Sequence, residues 1–197
     1  MIKVIIFDGV NCITYQEPLS VGLARDYKIP LEKTLPFFKG ALQDCVAGKS
    51  DLKEVLPPFL DVWGWENGVE GLLSYWFERD HKIDTQIVSY IKDLRDKKII
   101  CLLATNNEKY RFAYMLSKMG FDKIFDKSYC SALLGCKKPD QEFFSKILTD
   151  LKDIKKEEVL FWDDKTENVQ GAKDFGINAE LYINFLDFKE KMKQYSL

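Results

Sequence analysis

Groups of oxygen-bearing side chains stand at the ends of short apolar runs in this 197-residue chain. Asp8 follows KVIIF, Thr105 with Asn106 and Asn107 follows IICLLA, and Asp163 with Asp164 follows VLFW. Runs that are apolar on both faces and rich in Ile, Val and Leu read as buried strands of a parallel sheet. Ligands bind beyond the carboxyl ends of such strands, so these side chains are expected to converge. Carboxylates brought together repel one another unless a cation neutralises them, and hard cations take oxygen ligands. Mg²⁺ commonly uses one or two protein carboxylates with waters and phosphate oxygens, which matches this inventory. A further element is GCKKPD, Gly135 to Asp140, just before a helical pattern. Lys138, whose direction is restricted by the following Pro139, is a candidate to neutralise a phosphate or a covalent intermediate, with Lys137 its rival. The Thr105 hydroxyl and the amides beyond it, Asn106 included, are candidates to bind another phosphate oxygen.

The elements that must position these groups alternate. Apolar stripes at Ile87, Val88, Ile91 and Leu94, and at Phe112, Met115, Leu116 and Met119, have helical spacing. So do Phe143, Phe144, Ile147, Leu148 and Leu151, and then Val169, Ala172 and Phe175 before Gly176. AELYI, ending at Ile183, is a weaker strand candidate. Strand and helix in alternation predict an α/β fold with a Rossmann-like doubly wound parallel sheet. The stretch from Thr14 to Ile83 breaks this rhythm, with helical stripes, Pro57-Pro58, three tryptophans and no strand pattern. We therefore expect a core of residues 1–13 and 84–197, with a helical insertion at 14–83 after the first strand.

Composition narrows the partners. A net charge of -2 with Lys and Arg spread along the chain argues against nucleic acid and an anionic membrane. The five cysteines include no CxxC pair, which argues against a disulfide framework or a thiolate zinc site. No run is long and apolar enough to span a bilayer, and no secretory leader pattern opens the chain, so a reducing, cytoplasmic setting is expected. His81 is expected at a surface or hinge, Cys136 as an incidental thiol, and Trp63, Trp65 and Trp76 as helix packing. The oligomeric state is open.

In order along the chain, these residues resemble the four motifs of the haloacid dehalogenase-like hydrolase superfamily. MIKVIIFD is similar to motif one, LLATNN to motif two, GCKKPD to motif three, and VLFWDDKTENVQGAKDFGI to motif four. The resemblance implies Asp8 as nucleophile, Thr105 as the hydroxyl residue and Lys138 as the lysine of the site. It implies Mg²⁺ held by Asp8, the backbone carbonyl of Val10 and Asp164, the likelier of the two by its spacing to Asn168, with Asp163 beside it. The insertion falls where this family carries its C1 cap, and the implied activity is a phosphatase acting on a small phosphorylated metabolite through an aspartyl-phosphate.

One departure bears on that activity. Phosphatases of the family usually carry a second Asp two residues after the first, as general acid and base, and Val10 stands there. Two alignments compete: one keeps the strand length and resembles a branch reading DLGNV, with Asn11 at its Asn; the other puts Ile6 at the nucleophile position. The missing Asp is compatible with a slow or specialised phosphatase, a catalytically inactive binding protein, or a 2-haloacid dehalogenase-type hydrolase attacking carbon.

Overall fold

The computed structural model describes residues 1–197. Five parallel strands, β1 (Val4–Phe7), β2 (Ile100–Thr105), β3 (Lys127–Cys130), β4 (Val159–Asp163) and β5 (Asn178–Leu181), lie in the order β3-β2-β1-β4-β5. β1 is central, pairing Val4 with Ile100 on one side and with Val159 on the other. That register brings the carboxyl ends of β1, β2 and β4 to one edge of the sheet, where Asp8, Thr105 and Asp163 stand.

Side chains alternate across a strand, so each face of β1 feeds a different apolar layer. Ile5 and Phe7 pack with Leu103, Trp162, Ile91, Phe112 and Phe188, whereas Val4 and Ile6 pack with Phe161, Phe144, Ile147 and Ala172. Helices α7 (Thr85–Asp96), α8 (Lys109–Ser117) and α13 (Phe185–Met192) cover the first face; α11 (Gln141–Asp150) and α12 (Thr166–Phe175) cover the second. Each such side chain contributes about 1.5–3 kcal/mol when fully buried. Two single-turn helices, α9 (Phe121–Ile124) and α10 (Ser131–Leu134), flank β3.

Six helices occupy the stretch between β1 and α7: α1 (Leu19–Tyr27), α2 (Leu31–Lys39), α3 (Ala41–Val46), α4 (Leu52–Val55), α5 (Pro57–Trp63) and α6 (Gly68–Arg79). They share an apolar cluster of their own, with Leu23, Phe37, Leu56, Leu72 and the three tryptophans Trp63, Trp65 and Trp76. Pro57 opens α5, where its missing N–H costs no helical bond, and Gly64 closes it at a φ of 69°. The chain enters and leaves this stretch side by side. Thr14 bridges Ile83, and the Tyr15 hydroxyl donates to Asp84 at 2.6 Å.

Among the core elements that the sequence pattern does not predict are β3, the short helices α9 and α10, and α13. β3 is an edge strand of four residues, KSYC, whose first residue is exposed, so it carries too little alternation to read. AELYI does form a strand, ending at Leu181.

Candidate active site

β1 is hydrogen-bonded on both sides, so Asp8 leaves the sheet at a fixed place; its amide donates to Trp162 O at 2.8 Å. Lys138 Nζ meets Asp8 Oδ1 at 2.5 Å, Asp163 Oδ2 at 2.6 Å and Ala104 O at 2.7 Å. Those contacts use all three ammonium donors. The Lys138 side chain has no exposure, and its loop is held by Asn106, whose amide accepts from Lys138 N and donates to Lys138 O, both at 2.9 Å. The Lys138–Pro139 peptide is cis. α12 packs tightly against this loop: a Cβ on Gly171 would lie 2.4 Å from Pro139 O. Lys137 lines the cleft but makes no ion pair, so the buried cation is Lys138.

The two adjacent aspartates divide their work. Asp163 Oδ1 accepts from Lys165 N and Asn168 Nδ2, both at 2.9 Å, while its Oδ2 takes Lys138. Asp164 accepts from Asn11 Nδ2 at 2.9 Å, from a turn in which Asn11 holds a φ of 62°. Asp8, Asp164 and the Cys12 thiol bring ligand atoms within 4.8 Å of one another, and Asp163 is not in this trio. Asp8 Oδ2 and the Val10 carbonyl accept no hydrogen bond from the protein. The Thr105 hydroxyl accepts from Asn107 Nδ2 at 2.9 Å and keeps its own proton free to donate.

Charge is not balanced here. Burial pushes the Asp8 carboxyl up to about 7, with Asp163 and Asp164 adding to the push, against the pull of Lys138. Lys138 is drawn down by burial but held above the ordinary lysine range by Asp8 and Asp163. Burial first, then Asp8, raises the Cys12 thiol well above its usual value, so it is uncharged. Three carboxylates against one buried ammonium make a place for a cation with oxygen ligands, and Asp8, the Val10 carbonyl and Asp164 fit one.

All the site residues expected from sequence face a single cleft of about 460 Å³, except that Asn106 spends its side-chain amide on the lysine loop. Ile6, the rival for the nucleophile position, is packed in the apolar layer against Phe161, away from the cleft. His81 is exposed at the end of α6, beside the Tyr114 hydroxyl at 3.1 Å. Sequence reasoning missed Cys12 and a second group on the insertion side of the cleft: Gln16, Trp76, Glu108 and Arg111. Arg111 had a signal, since it lies four residues before Met115 on the buried stripe of α8.

The model of the haloacid dehalogenase-like hydrolase family matches residues 68–181, and the chain belongs to that family. D-ribitol-5-phosphate phosphatase of Bacteroides thetaiotaomicron is 28% identical over 98% of this chain and 97% of that protein. Sesquiterpene phosphatase of Aspergillus oryzae is 33% identical over 48% of this chain, a match that spans 47% of that relative. A family enzyme of Bacteroides thetaiotaomicron, solved with magnesium and inorganic phosphate, superposes with a TM-score of 0.79 at 18% identity, over 95% of this chain and 99% of that one. No helix of the protein is long and apolar enough to cross a membrane.

Proposed function

We propose that the protein is a Mg²⁺-dependent phosphatase of small phosphorylated metabolites that works through an aspartyl-phosphate at Asp8. The observation that carries this reading is the Lys138 ammonium bridging Asp8 and Asp163 while the second Asp8 oxygen stays free at the cleft. Asp8, the Val10 carbonyl and Asp164 would hold the metal, and Asp163 would anchor Lys138 instead. When bound, Mg²⁺ would neutralise charge between the carboxylate and the phosphate oxygens.

The free Asp8 oxygen attacks phosphorus, an Asp8–phosphorus bond forms and the bond to the leaving oxygen breaks. The Thr105 hydroxyl holds a transferring oxygen, and the Lys138 charge, its three donors already spent, stabilises the developing anion from beside Asp8. Val10 has no proton to give, so the leaving oxygen takes one from water. A second water then attacks phosphorus, its proton passing to the hydroxide the first water left, and the bond from Asp8 to phosphorus breaks to release Asp8 and inorganic phosphate. Residues 14–83 act as a C1-type cap that closes the cleft and excludes bulk water.

A phosphorylated polyol is favoured over an isoprenoid phosphate. The relative aligned along nearly the whole chain acts on ribitol 5-phosphate, and four of the 21 residues lining the cleft are hydrophobic. The test is phosphate release from p-nitrophenyl phosphate and a polyol phosphate panel. Release is expected to need Mg²⁺, to stop with a chelator, and to be lost in Asp8→Asn. Undiminished turnover in Asp8→Asn sinks the reading.

A further inference from the structure

Most of the cleft chemistry lies at the strand ends, but one cation on the insertion side is unexplained by it. Arg111, in the first turn of α8, is 3% exposed and lines the same cleft as Asp8 and Lys138. Its Nη1 donates to Asp80 Oδ2 at 2.6 Å, and Asp80, at the end of α6, is 2% exposed. The ion pair therefore joins the sheet-bearing part of the chain to the helical insertion. Trp76 lies under the guanidinium, 5.8 Å from ring centroid to Cζ.

The rest of the guanidinium is idle. Nε is fully buried without a hydrogen-bond partner, and Nη1 is the one nitrogen with a protein acceptor. A buried donor left unsatisfied costs about 1–3 kcal/mol, and native structures keep few of them. Glu108 does not supply it. Its Oε2 accepts from Tyr110 N at 2.7 Å and its Oε1 from Arg111 N, which spends the carboxylate on capping α8. Gln16, also lining the cleft, makes no hydrogen bond to the Arg111 guanidinium.

Asp80 neutralises Arg111, so this end of the cleft has no charge to offer a second anion. What remains is a guanidinium with N–H donors that no protein acceptor takes, lining the cleft beside Trp76 and Gln16. Neutral oxygens match that set. We propose that Arg111 is a specificity-determining residue, held by Asp80, that reads hydroxyl oxygens on the leaving group of a polyol or sugar phosphate. The inference rests on the phosphatase reading and goes beyond it by naming what recognises the part of the substrate that does not react. Binding energy from such remote contacts is what separates substrates that share a phosphate.

The experiment compares two esters in one enzyme, ribitol 5-phosphate with hydroxyls and phenyl phosphate without. Arg111→Lys keeps a cation for Asp80 but loses the fork. Its kcat/KM is expected to fall by about tenfold or more for ribitol 5-phosphate and to stay within about twofold for phenyl phosphate. Equal losses on both esters assign Arg111 a merely structural role, and no loss on either removes it from recognition; both overturn the proposal. A second variant, Asp80→Asn with Arg111→Met, removes the buried charges together and is expected to show the same selective loss. Should the wild type hydrolyse neither ester, the phosphatase reading fails on its own. Calorimetric titration with ribitol 5-phosphate then decides the Arg111 assignment: a Kd weakened about tenfold in Arg111→Lys supports it, and absent or unchanged binding overturns it.

Discussion

The two sides of the cleft are built differently. On the sheet side every polar group is fixed by a strand end or a strand-supported loop: Asp8 by β1, Thr105 by β2, Asp163 by β4, and Lys138 by Asn106 and the ion pairs it makes. On the insertion side, Gln16, Leu42, Gln43 and Trp76 come from helices and a loop around a separate apolar cluster. The first side is specified by topology and suits chemistry that must not move. The second is free to vary without disturbing the sheet, which suits the choice of substrate.

Substitutions can break this division, beginning with the largest expected effect on turnover. Lys138→Met leaves Asp8 and Asp163 buried without their shared cation, so activity is expected to drop by about 10³-fold. Stability should fall by about 3–5 kcal/mol, read as a lowered urea midpoint. If Lys138→Met kept both, the buried triad would not be the centre of the site. Val10→Asp restores the absent proton-transfer group. Hydrolysis of alkyl phosphates should rise by about 10²-fold, while p-nitrophenyl phosphate, with its good leaving group, gains little. Equal gains on both would show that leaving-group protonation is not what Val10 limits.

Gly171→Ala probes the support of the lysine loop without touching a reacting group. The added methyl meets Pro139 at 2.4 Å and must push the loop that carries Lys138. A loss of about ten- to a hundredfold in kcat is expected, with little change in KM. Trp63→Ala acts at the far end of the insertion, where the indole donates to Lys33 O at 2.9 Å within the separate cluster. It should cost about 3–5 kcal/mol of stability in that cluster. Turnover of p-nitrophenyl phosphate below the melting range should hardly change, which a thermal melt and an assay on the same sample will show.

The difference between the two sides also explains what the sequence disclosed. Strand ends are legible because a buried parallel strand is a continuous apolar run, and the polar residue that ends it is conspicuous. Asp8, Thr105 and Asp163 were found that way. The separate duties of Asp163 and Asp164 were not legible, because adjacent carboxylates differ only in which way the chain turns after β4. Cys12 was hidden for a similar reason: the left-handed turn at Asn11 is what brings its thiol near Asp8 and Asp164. Arg111 sits inside an apolar helical stripe and its partner, Asp80, lies 31 positions earlier, a pairing no local pattern reveals. β3 escaped because a strand of four residues with only its last two buried has little length in which to show a pattern.

The central claim is that Asp8 is the group that attacks phosphorus, with Lys138 beside it. A crystal structure of the protein soaked with beryllofluoride and Mg²⁺ tests this most directly. The account predicts a beryllium bonded to the free Asp8 oxygen, with fluorines facing Lys138 and the Thr105 hydroxyl, and no adduct in Asp8→Asn. Beryllofluoride bound on another residue, or bound unchanged in Asp8→Asn, would contradict it.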